Sequence, residues 1–470
     1  MDKEERSGFS TEDISNEIDR LNRKSETIVW NCGENVSFDL LIPPTVYPPR
    51  EDTNLLAKQI ISLGDGKGRK ALEIGCGSGA LTMLLCAKGW IVNACDINPY
   101  AVAASRGNLA NSNLEAEILE GGPGSEDILW SQNKPFDLIV WNLPYLERPK
   151  PGADLLGPLE EASLSDLEDE GAMEILARSI SCKQLLTLDG KALVVHRNEQ
   201  DVMHICHRWG LAARKMETLE FSEGSDIQVT CIWTPWSKSP TESIKITTST
   251  NEELLSRDSP VGSHLVAGLQ TSGRGRKGRH WLSADGCYAG SWVVSIGEKF
   301  NAGILQLAAG LAVIDSIRCF TDQPLQLKWP NDILIGGRKV CGILAEGRIK
   351  GSDMRAVIGI GINLKNDSEV LTGNEASLDE YISLTPGEID MTLHASLASM
   401  LEKKTSILPV AENEIISRVL SSLKNLGEVF YRDKLHSVKS ISSDGKLVIK
   451  TGDESIIIDD GEDIEWTSLR

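Results

Sequence analysis

The sequence contains ten cysteines and not one C-x-x-C pair. That removes the common zinc-ribbon and dithiol readings and gives no disulfide framework. Cys76, Cys86, Cys95, Cys231 and Cys341 lie in apolar runs and read as small buried hydrophobes, which fits a reducing compartment. Positive charge is also scarce. Only 48 Lys and Arg stand against 68 Asp and Glu, a net charge of −20. Such a chain makes a poor general binder of nucleic acid or anionic membrane, because phosphates require a clustered positive surface. Any dense group of cations within it is therefore informative. The opening Met-Asp-Lys-Glu-Glu-Arg has no apolar core of the signal-peptide kind. No run approaches the ~18 apolar residues of a membrane span. A cytoplasmic protein that crosses no membrane is the expectation. No repeat of solenoid period is present.

What is present suggests several domains, since 470 residues correspond to two to four at ~100–200 residues each. Residues 1–25 form a charged arm, with a short helix over Thr11–Arg23 as one reading and disorder as the other. From Lys70 the pattern alternates. β-rich apolar runs at 71–75, 91–97, 136–142, 191–196 and 227–233 are separated by helix-like stretches at 53–62, 79–88, 99–110 and 170–187. This predicts a doubly wound, Rossmann-like α/β domain over 26–236. Pro235–Ser243, rich in Ser, Pro and Thr, reads as a linker, with 237–243 as its centre. An α+β domain follows over 244–425. Its strands are expected at 263–270, 288–296, 325–329, 339–346 and 356–364, and its helices near 303–320, 387–405 and 412–425. The alternating tail, 426–470, with Asp-Gly turns at 444–445 and 460–461, predicts a small β-barrel.

The dense cation group occurs at 270–281, QTSGRGRKGRHW. Arg274, Arg276, Lys277 and Arg279 fall within six positions among three glycines. Such a loop can close over a polyanion and place guanidinium forks on phosphate oxygens. Trp281 could stack on a purine. Taken alone, the segment could equally be an RG-rich nucleic-acid element or a solvated loop. Further motifs follow in order: KWPND at 328–332, Lys339, Gly342 and GIGIN at 359–363. Ser249-Thr250-Asn251 precedes the loop and also suits a helix N-cap before Glu252. Gly359 and Gly361 could simply permit close strand packing, and Lys339 could be a surface lysine of a hairpin.

The ordered series, from Ser249 through Gln270, GRGRKGRHW, KWPND and Lys339 to GIGIN, resembles the catalytic domain of biotin protein ligases. The resemblance implies that Ser249, Thr250, Asn251, Gln270, Gly273, Arg274, Lys339 and Gly342 bind biotin. It implies that Arg276, Arg279, Trp281, Asn331 and Asn363 bind ATP. Lys339, Arg274, Arg276 and Asp332 form the implied catalytic set, with Asp332 as a Mg²⁺ ligand. The tail resembles the SH3-like domain of the same ligases. The implied partner is the biotin carboxyl-carrier domain of a carboxylase. The departures are Ser283-Ala284-Asp285-Gly286, where Ser-Pro-x-Gly is frequent, and Lys277, where Arg is frequent. No helix-turn-helix is found, so no DNA-binding domain is expected. Lipoate ligases share the fold, but their Arg-Arg-x-x-Gly-Gly-Gly segment is missing.

In the first half, Glu73, Gly75, Gly77 and Gly79 follow a strand and open a helix, and Asp96 ends the next strand. The glycines let a backbone approach a ligand, and the acid can bind ribose hydroxyls. This spacing suits a dinucleotide or S-adenosylmethionine. Asn142-Leu143-Pro144-Tyr145 resembles the Asn-Pro-Pro-Tyr signature of class I methyltransferases acting on amide or amino nitrogen. Val46–Thr53 (VYPPREDT) is similar to a segment of release-factor glutamine methyltransferases. The resemblance implies that Glu73, Gly75, Gly77, Gly79, Asp96 and Asn142 bind S-adenosylmethionine. It implies that Asn142, Pro144 and Tyr145 hold the methyl acceptor, a protein such as a release factor, with Asn142 catalytic. Leu143 departs from the usual proline. His204 and His207, three apart on a helix, read as surface or packing residues rather than metal ligands.

The sequence thus points to a biotin ligase fused to an N-methyltransferase. Its rivals are a methyltransferase carrying a ligase-derived binding module, a lipoate-type ligase, and a non-enzymatic nucleic-acid binder using the RG loop.

Overall fold

The computed structural model describes residues 24–33, 36–124, 129–144, 171–221, 226–281, 286–297, 299–350, 353–365, 374–452 and 454–469. The expected Thr11–Arg23 helix and Tyr145 lie outside the described residues. The chain divides into two compact units, Met1–Thr234 and Pro235–Arg470.

The first unit opens on an antiparallel hairpin, β1 (Glu26–Gly33) and β2 (Val36–Ile42). Helix α1 (Glu51–Ser62) follows, with Glu51 and Asp52 in its first turn, where carboxylates favour the helix dipole. Then come β3 (Lys70–Ile74), α2 (Ala80–Ala87), β4 (Ile91–Asp96), α3 (Pro99–Asn111), β5 (Glu117–Glu120) and β6 (Phe136–Asn142). The unit ends with α4 (Ala172–Lys183), β7 (Leu186–Arg197), α5 (Val202–Arg208), β8 (Ala212–Leu219) and β9 (Ile227–Trp233). The sheet order is β5-β4-β3-β6-β7-β9-β8, parallel through β7 and antiparallel at β9 and β8. Leu72, Ile139, Val140, Leu193 and Val194 are fully buried. Strands covered on both faces need such unbroken apolar runs, which is why they were legible. The strand order reverses between β3 and β6, and the crevice beyond the carboxyl ends there is where open α/β sheets bind ligands. The helix expected to reach residue 187 stops at Lys183. Gln184 takes left-handed geometry (φ 52°), and the chain is already paired as a strand from Leu186.

The second unit contains β10 (Thr241–Thr247), α6 (Thr250–Ser256), β11 (His264–Gln270), β12 (Gly273–Arg274), β13 (His280–Trp281), β14 (Cys287–Ile296) and α7 (Ala302–Arg318). It continues with β15 (Leu325–Lys328), β16 (Asp332–Ile335), β17 (Arg338–Lys350), β18 (Asp353–Asn363), α8 (Pro386–Leu401) and α9 (Glu412–Lys424). The main sheet is ordered β10-β11-β14-β18-β17-β16-β15. Helix α7, capped by Asn301 Oδ1 accepting from Ile304 N at 3.2 Å, packs on β15, β16, β17 and β18. Thr385 caps α8 the same way, with Pro386 at its first position. The expected linker is only partly one. Thr241–Ser243 belong to β10, paired in parallel with β11, and Trp236 is buried, its backbone N–H donating to Glu402 Oε2 at 3.0 Å.

The tail forms a five-stranded antiparallel sheet, β19 (Val429–Tyr431), β20 (Lys434–Ile441), β21 (Leu447–Thr451), β22 (Glu454–Ile458) and β23 (Ile464–Trp466), ordered β22-β21-β20-β19-β23. It docks on α7 and the Trp329 segment of its own unit through the Asp444-Gly445 turn. A Cβ on Gly303 would lie 2.2 Å from Asp444 O, and Trp329 Nε1 donates to Gly445 O at 2.9 Å. Glycine is required at 303 by that approach.

Among the described residues no helix is long and apolar enough to cross a membrane. Cys76, Cys95, Cys231 and Cys341 are buried as expected, while Cys86 is half-buried.

Candidate functional site

In the second unit, a cavity of about 480 Å³ opens over β17 and β18. Ser249, Thr250, Asn251, Gln270, Arg274, Arg276, Arg279, Trp281, Asn331, Asp332, Lys339 and Gly342 all line it. Folding brings these residues together from five stretches of the chain, 249–251, 270, 274–281, 331–332 and 339–342. Ser249 takes the N-cap position of α6 but makes no side-chain cap bond. The backbone turn instead aims the next two residues inward. Thr250 N donates to Gln270 Oε1 at 2.9 Å, and Thr250 Oγ1 does so at 3.1 Å. Asn251 Nδ2 donates to Glu346 Oε2 at 2.7 Å. Fully buried Ser291 on β14 stands 2.6 Å from Thr250 Oγ1 and 2.7 Å from Asn251 Oδ1. Thr250, Asn251 and Ser291 at this end of the cavity are thus hydrogen-bonded, as buried polar groups must be.

At the other end Lys339 Nζ lies 2.7 Å from Asp332 Oδ1. Asn331 Nδ2 donates to Ile343 O at 3.0 Å, which fixes the KWPND segment to β17. The floor between is glycine. Gly342 and Gly361 are register partners across β17 and β18. A Cβ at Gly361 would lie 2.4 Å from the Trp281 indole, one at Gly342 2.8 Å from it, and one at Gly359 2.4 Å from Asn251 Oδ1. These glycines therefore leave room for side chains resting on them. The Trp281 ring fills that space, with Lys339 Nζ 5.5 Å from its centroid. Its Nε1 is buried and without a hydrogen-bond partner among the described residues.

The basic loop is folded down as a miniature hairpin. Gly273 pairs with Trp281 and Arg274 with His280, and Gly275 N donates to Arg279 O at 2.7 Å. Arg274 is paired with Glu252 at 3.0 Å and stands 3.8 Å from Glu346. Lys277 is paired with Asp460 and Arg279 with Glu462, both from the turn before β23. Lys277 pulls the Asp460 carboxyl below its ordinary range.

Two expected ligands do not line this cavity. Gly273 is committed to the hairpin, where a Cβ would lie 2.6 Å from Trp281 O. Asn363 is buried at the end of β18 and donates from Nδ2 to Ala376 O at 3.1 Å. Sequence reasoning missed Ser291, which is hidden in an apolar strand, Glu346, and the two acids of the barrel turn, which had been read only as an Asp-Gly turn.

In the first unit the glycine loop joins β3 to α2, with φ of 70°, 53° and 83° at Gly75, Gly77 and Gly79. Gly79 is also pressed by Ser105, whose Cα would stand 3.0 Å from an added Cβ. Asp96, at the end of β4, ties the loop. Its Oδ2 accepts from Gly77 N at 2.8 Å and its Oδ1 from Asn98 N at 2.9 Å. Glu73 is buried at the end of β3. Burial pushes its carboxyl up to about 8, against the opposing hydrogen bond from Thr82 Oγ1. Asn142 ends β6 beside the switch point, and its Nδ2 donates to Asp52 Oδ2 at 3.0 Å. Asp52 Oδ1 accepts from Thr53 N at 2.6 Å. Leu143, which replaces a proline of the signature, uses its N–H. It donates to Val195 O at 3.0 Å and extends the β6–β7 pairing. Pro144 O accepts from Gln200 Nε2 at 3.3 Å. His204 pairs with Asp201 at 2.7 Å, and His207 is fully buried. Among the described residues no group of three or more His, Cys, Asp or Glu could hold a metal.

The Biotin/lipoate A/B protein ligase family matches residues 241–363, and the Methyltransferase small domain matches residues 51–203. The chain is 40% identical over 124 residues to a biotin--[acetyl-CoA-carboxylase] ligase of Paracoccus denitrificans, covering 25% of this chain and 52% of that one. It is 29% identical over 233 residues to the Mycobacterium tuberculosis biotin--[acetyl-CoA-carboxylase] ligase, covering 46% and 85%. The solved biotin protein ligase of Aquifex aeolicus with biotin and ATP is 27% identical, with a TM-score of 0.39, covering 48% of this chain and 97% of that one. The chain spans about half the length of most of the curated ligases it matches. Residues 51–203 are a methyltransferase small domain and residues 241–363 a domain of the biotin/lipoate A/B protein ligase family, carried together on one chain.

Proposed function

We propose that the second unit condenses biotin with ATP to biotinyl-5′-AMP and passes the biotinyl group to a lysine of a carboxylase carrier domain. The observation that carries this is the convergence of Lys339, Asp332, the basic loop and the Ser249-Thr250-Gln270 cluster on one cavity. The polar cluster would hold the ureido ring, with the rest of biotin running past the Trp281 indole that rests on the glycine floor. Its carboxylate would then reach Lys339. A carboxylate oxygen must attack the α-phosphorus, and pyrophosphate must leave. Two anions approach each other, so the Lys339 ammonium offsets both the ground-state repulsion and the charge of the transition state. Arg276 and Arg279 would grip the phosphates. Mg²⁺ is commonly held by one or two carboxylates plus substrate phosphates, so it would enter with the nucleotide, and Asp332 is the protein ligand that fits. The closed loop would keep water from the mixed anhydride. In the second step the acceptor amine forms a C–N bond to the acyl carbon, the acyl C–O bond breaks, and AMP departs. The test incubates the protein with biotin, ATP, Mg²⁺ and a carrier domain and probes with streptavidin. Labelling that does not depend on ATP, or no labelling, overturns the reading.

For the first unit we infer an S-adenosylmethionine-dependent N-methyltransferase with a protein amide acceptor, such as a release-factor glutamine. The glycine loop and Asp96 at the switch point suit a nucleoside carrying ribose hydroxyls. S-adenosylmethionine, when bound, supplies an electrophilic methyl. Asp52 is acceptor-only when ionised, so it takes the Asn142 NH₂ and leaves the Asn142 carbonyl as the acceptor for a target N–H. Radiolabelled methyl transfer to a glutamine peptide tests this. Transfer that survives Asn142→Ala would refute the role of Asn142.

A further inference from the structure

Two cations of the basic loop already have anionic partners. Lys277 Nζ is paired with Asp460 Oδ2, and Arg279 Nη2 with Glu462 Oε1. Both acids belong to one turn of the small barrel, between β22 and β23. Asp460 Oδ1 accepts from Glu462 N at 3.3 Å, which stiffens that turn. Gly461 presses the turn on the KWPND segment, where an added Cβ would lie 2.7 Å from Pro330 Cδ and 3.1 Å from Trp329 O. The two carboxylates are therefore held at set positions, on the wall of the same cavity that contains Lys339 and Asp332. The loop meets them in a closed form. Lys277 adopts a left-handed backbone (φ 55°) before Gly278, and the Gly275–Arg279 hydrogen bond ties its base. Arg276 stands close enough to act on Asp460 as well.

A carboxylate offers ammonium and guanidinium groups the same kind of oxygen acceptors that a phosphate does. We propose that Asp460 and Glu462 are internal stand-ins for the triphosphate, positioning Lys277 and Arg279 in a closed loop until a nucleotide takes those cations from them. The proposal rests on the ligase reading of this cavity. Lys277, Arg279 and Glu462 are all more than half exposed. Ion pairs that face solvent are worth little. A triphosphate brings more charge and forked acceptors, so the exchange favours nucleotide and the loop need not unfold to accept it. The same exposure makes the latch sensitive to salt. The acidic turn also adds specificity. A ligand without a polyanionic group offers these cations no acceptor in exchange, so a nucleoside polyphosphate is the ligand that gains both.

The test uses the full chain and the double variant Asp460→Asn/Glu462→Gln. Without ligand, tryptic cleavage after Arg274, Arg276, Lys277 and Arg279 is timed by mass spectrometry. Loss of the latch should speed cleavage in this loop by about tenfold or more, since local opening sets the rate. In biotin-dependent pyrophosphate exchange, KM for ATP should fall about threefold or more, because nucleotide no longer competes with the carboxylates. The exchanged-length variant Asp460→Glu/Glu462→Asp keeps both charges and should restore part of each effect. Equal cleavage rates, or a KM for ATP that stays the same or rises, would overturn the proposal. Cuts spreading across 426–470 would mean that the barrel has unfolded. Glu462→Gln alone, changing an exposed side chain, then replaces the double variant under the same criteria. Wild-type protein with no biotin-dependent exchange would defeat the ligase reading, whereas the tryptic comparison would still report on the latch.

Discussion

Asn142 Nδ2 donates to Asp52 Oδ2 at 3.0 Å across 90 residues of sequence, joining the end of β6 to the first turn of α1. Since a carboxylate can only accept, this bond fixes which face of the Asn142 amide is oxygen. Asp52→Asn lets the amide turn over. Methyl transfer to an amide probe should fall on the order of 100-fold, as for loss of one preorganised polar contact. Binding of S-adenosylmethionine should be retained in isothermal titration. The paired exchange Asp52→Asn/Asn142→Asp restores an acceptor at 142 and should recover part of the rate. Full activity in Asp52→Asn alone would refute the idea.

Lys339 sits 2.7 Å from Asp332 and over the Trp281 ring. Lys339→Ala should lower biotin-dependent pyrophosphate exchange by roughly 10²–10³-fold. Biotin binding itself, held mainly by the Ser249-Thr250-Gln270 end, should weaken far less. An exchange rate equal to wild type would remove Lys339 from the chemistry.

Gly361→Ala puts a methyl group where the Trp281 indole now lies, 2.4 Å from its nearest atom. The ring must leave the floor. The variant should show red-shifted tryptophan emission that vanishes in Gly361→Ala/Trp281→Phe, and a stability loss of about 1–3 kcal/mol typical of overpacking. Unchanged emission would mean that the ring does not rest on this floor.

Glu73 is buried, and burial raises its carboxyl to about 8. It is then protonated in the folded unit but ionised in the unfolded chain between about 4.5 and 8. Stability from this group is full below the lower value and is lost as pH rises through the upper one. Melting of the first unit should thus weaken from pH 5 to pH 8, on the order of 1 kcal/mol per unit. Glu73→Gln should flatten that slope. Identical slopes in the two proteins would contradict a raised value.

His394 behaves in the opposite sense. Burial lowers its ring to about 4, helped by neighbouring His264. The folded unit keeps it neutral, so its contribution is present above about 6.5 and fades as pH falls toward 4. Trp292 Nε1 donates to His394 Nδ1 at 3.0 Å, which requires that neutral form. Calorimetry of His394→Gln should show less acid lability in the second unit than wild type. Greater lability would contradict this.

Much of the fold was legible because each pattern had one physical reading. Apart from Glu73, the runs Ala71–Ile74 and Leu138–Trp141 are apolar, and both are buried throughout, as strands covered on both faces must be. The Asn-Pro start of α3 and the Thr-Pro start of α8 are cap signals. The Thr241–Ser243 part of β10 was missed because its residues are exposed and polar, so only pairing with β11 makes it a strand. The ligase cavity was legible as a set of residue types in order. Ser291 was not, because one hydroxyl in an apolar strand gives no sign of which neighbours it will meet.

The sequence by itself determined which chemistries are available: four cations on a glycine-rich loop, a lysine after KWPND, bare glycines in GIGIN, and a glycine loop followed by an acid. These depend on residue identity and short spacing, which local physics can read. Only tertiary structure decided the partners. Asn142 with Asp52, Trp281 on Gly361, and Lys277 with Asp460 join residues 90, 80 and 183 positions apart. No local propensity encodes such pairs. They arise because sheet register and the docking of the barrel place one backbone against another, and side chains then take the neighbours that geometry leaves them.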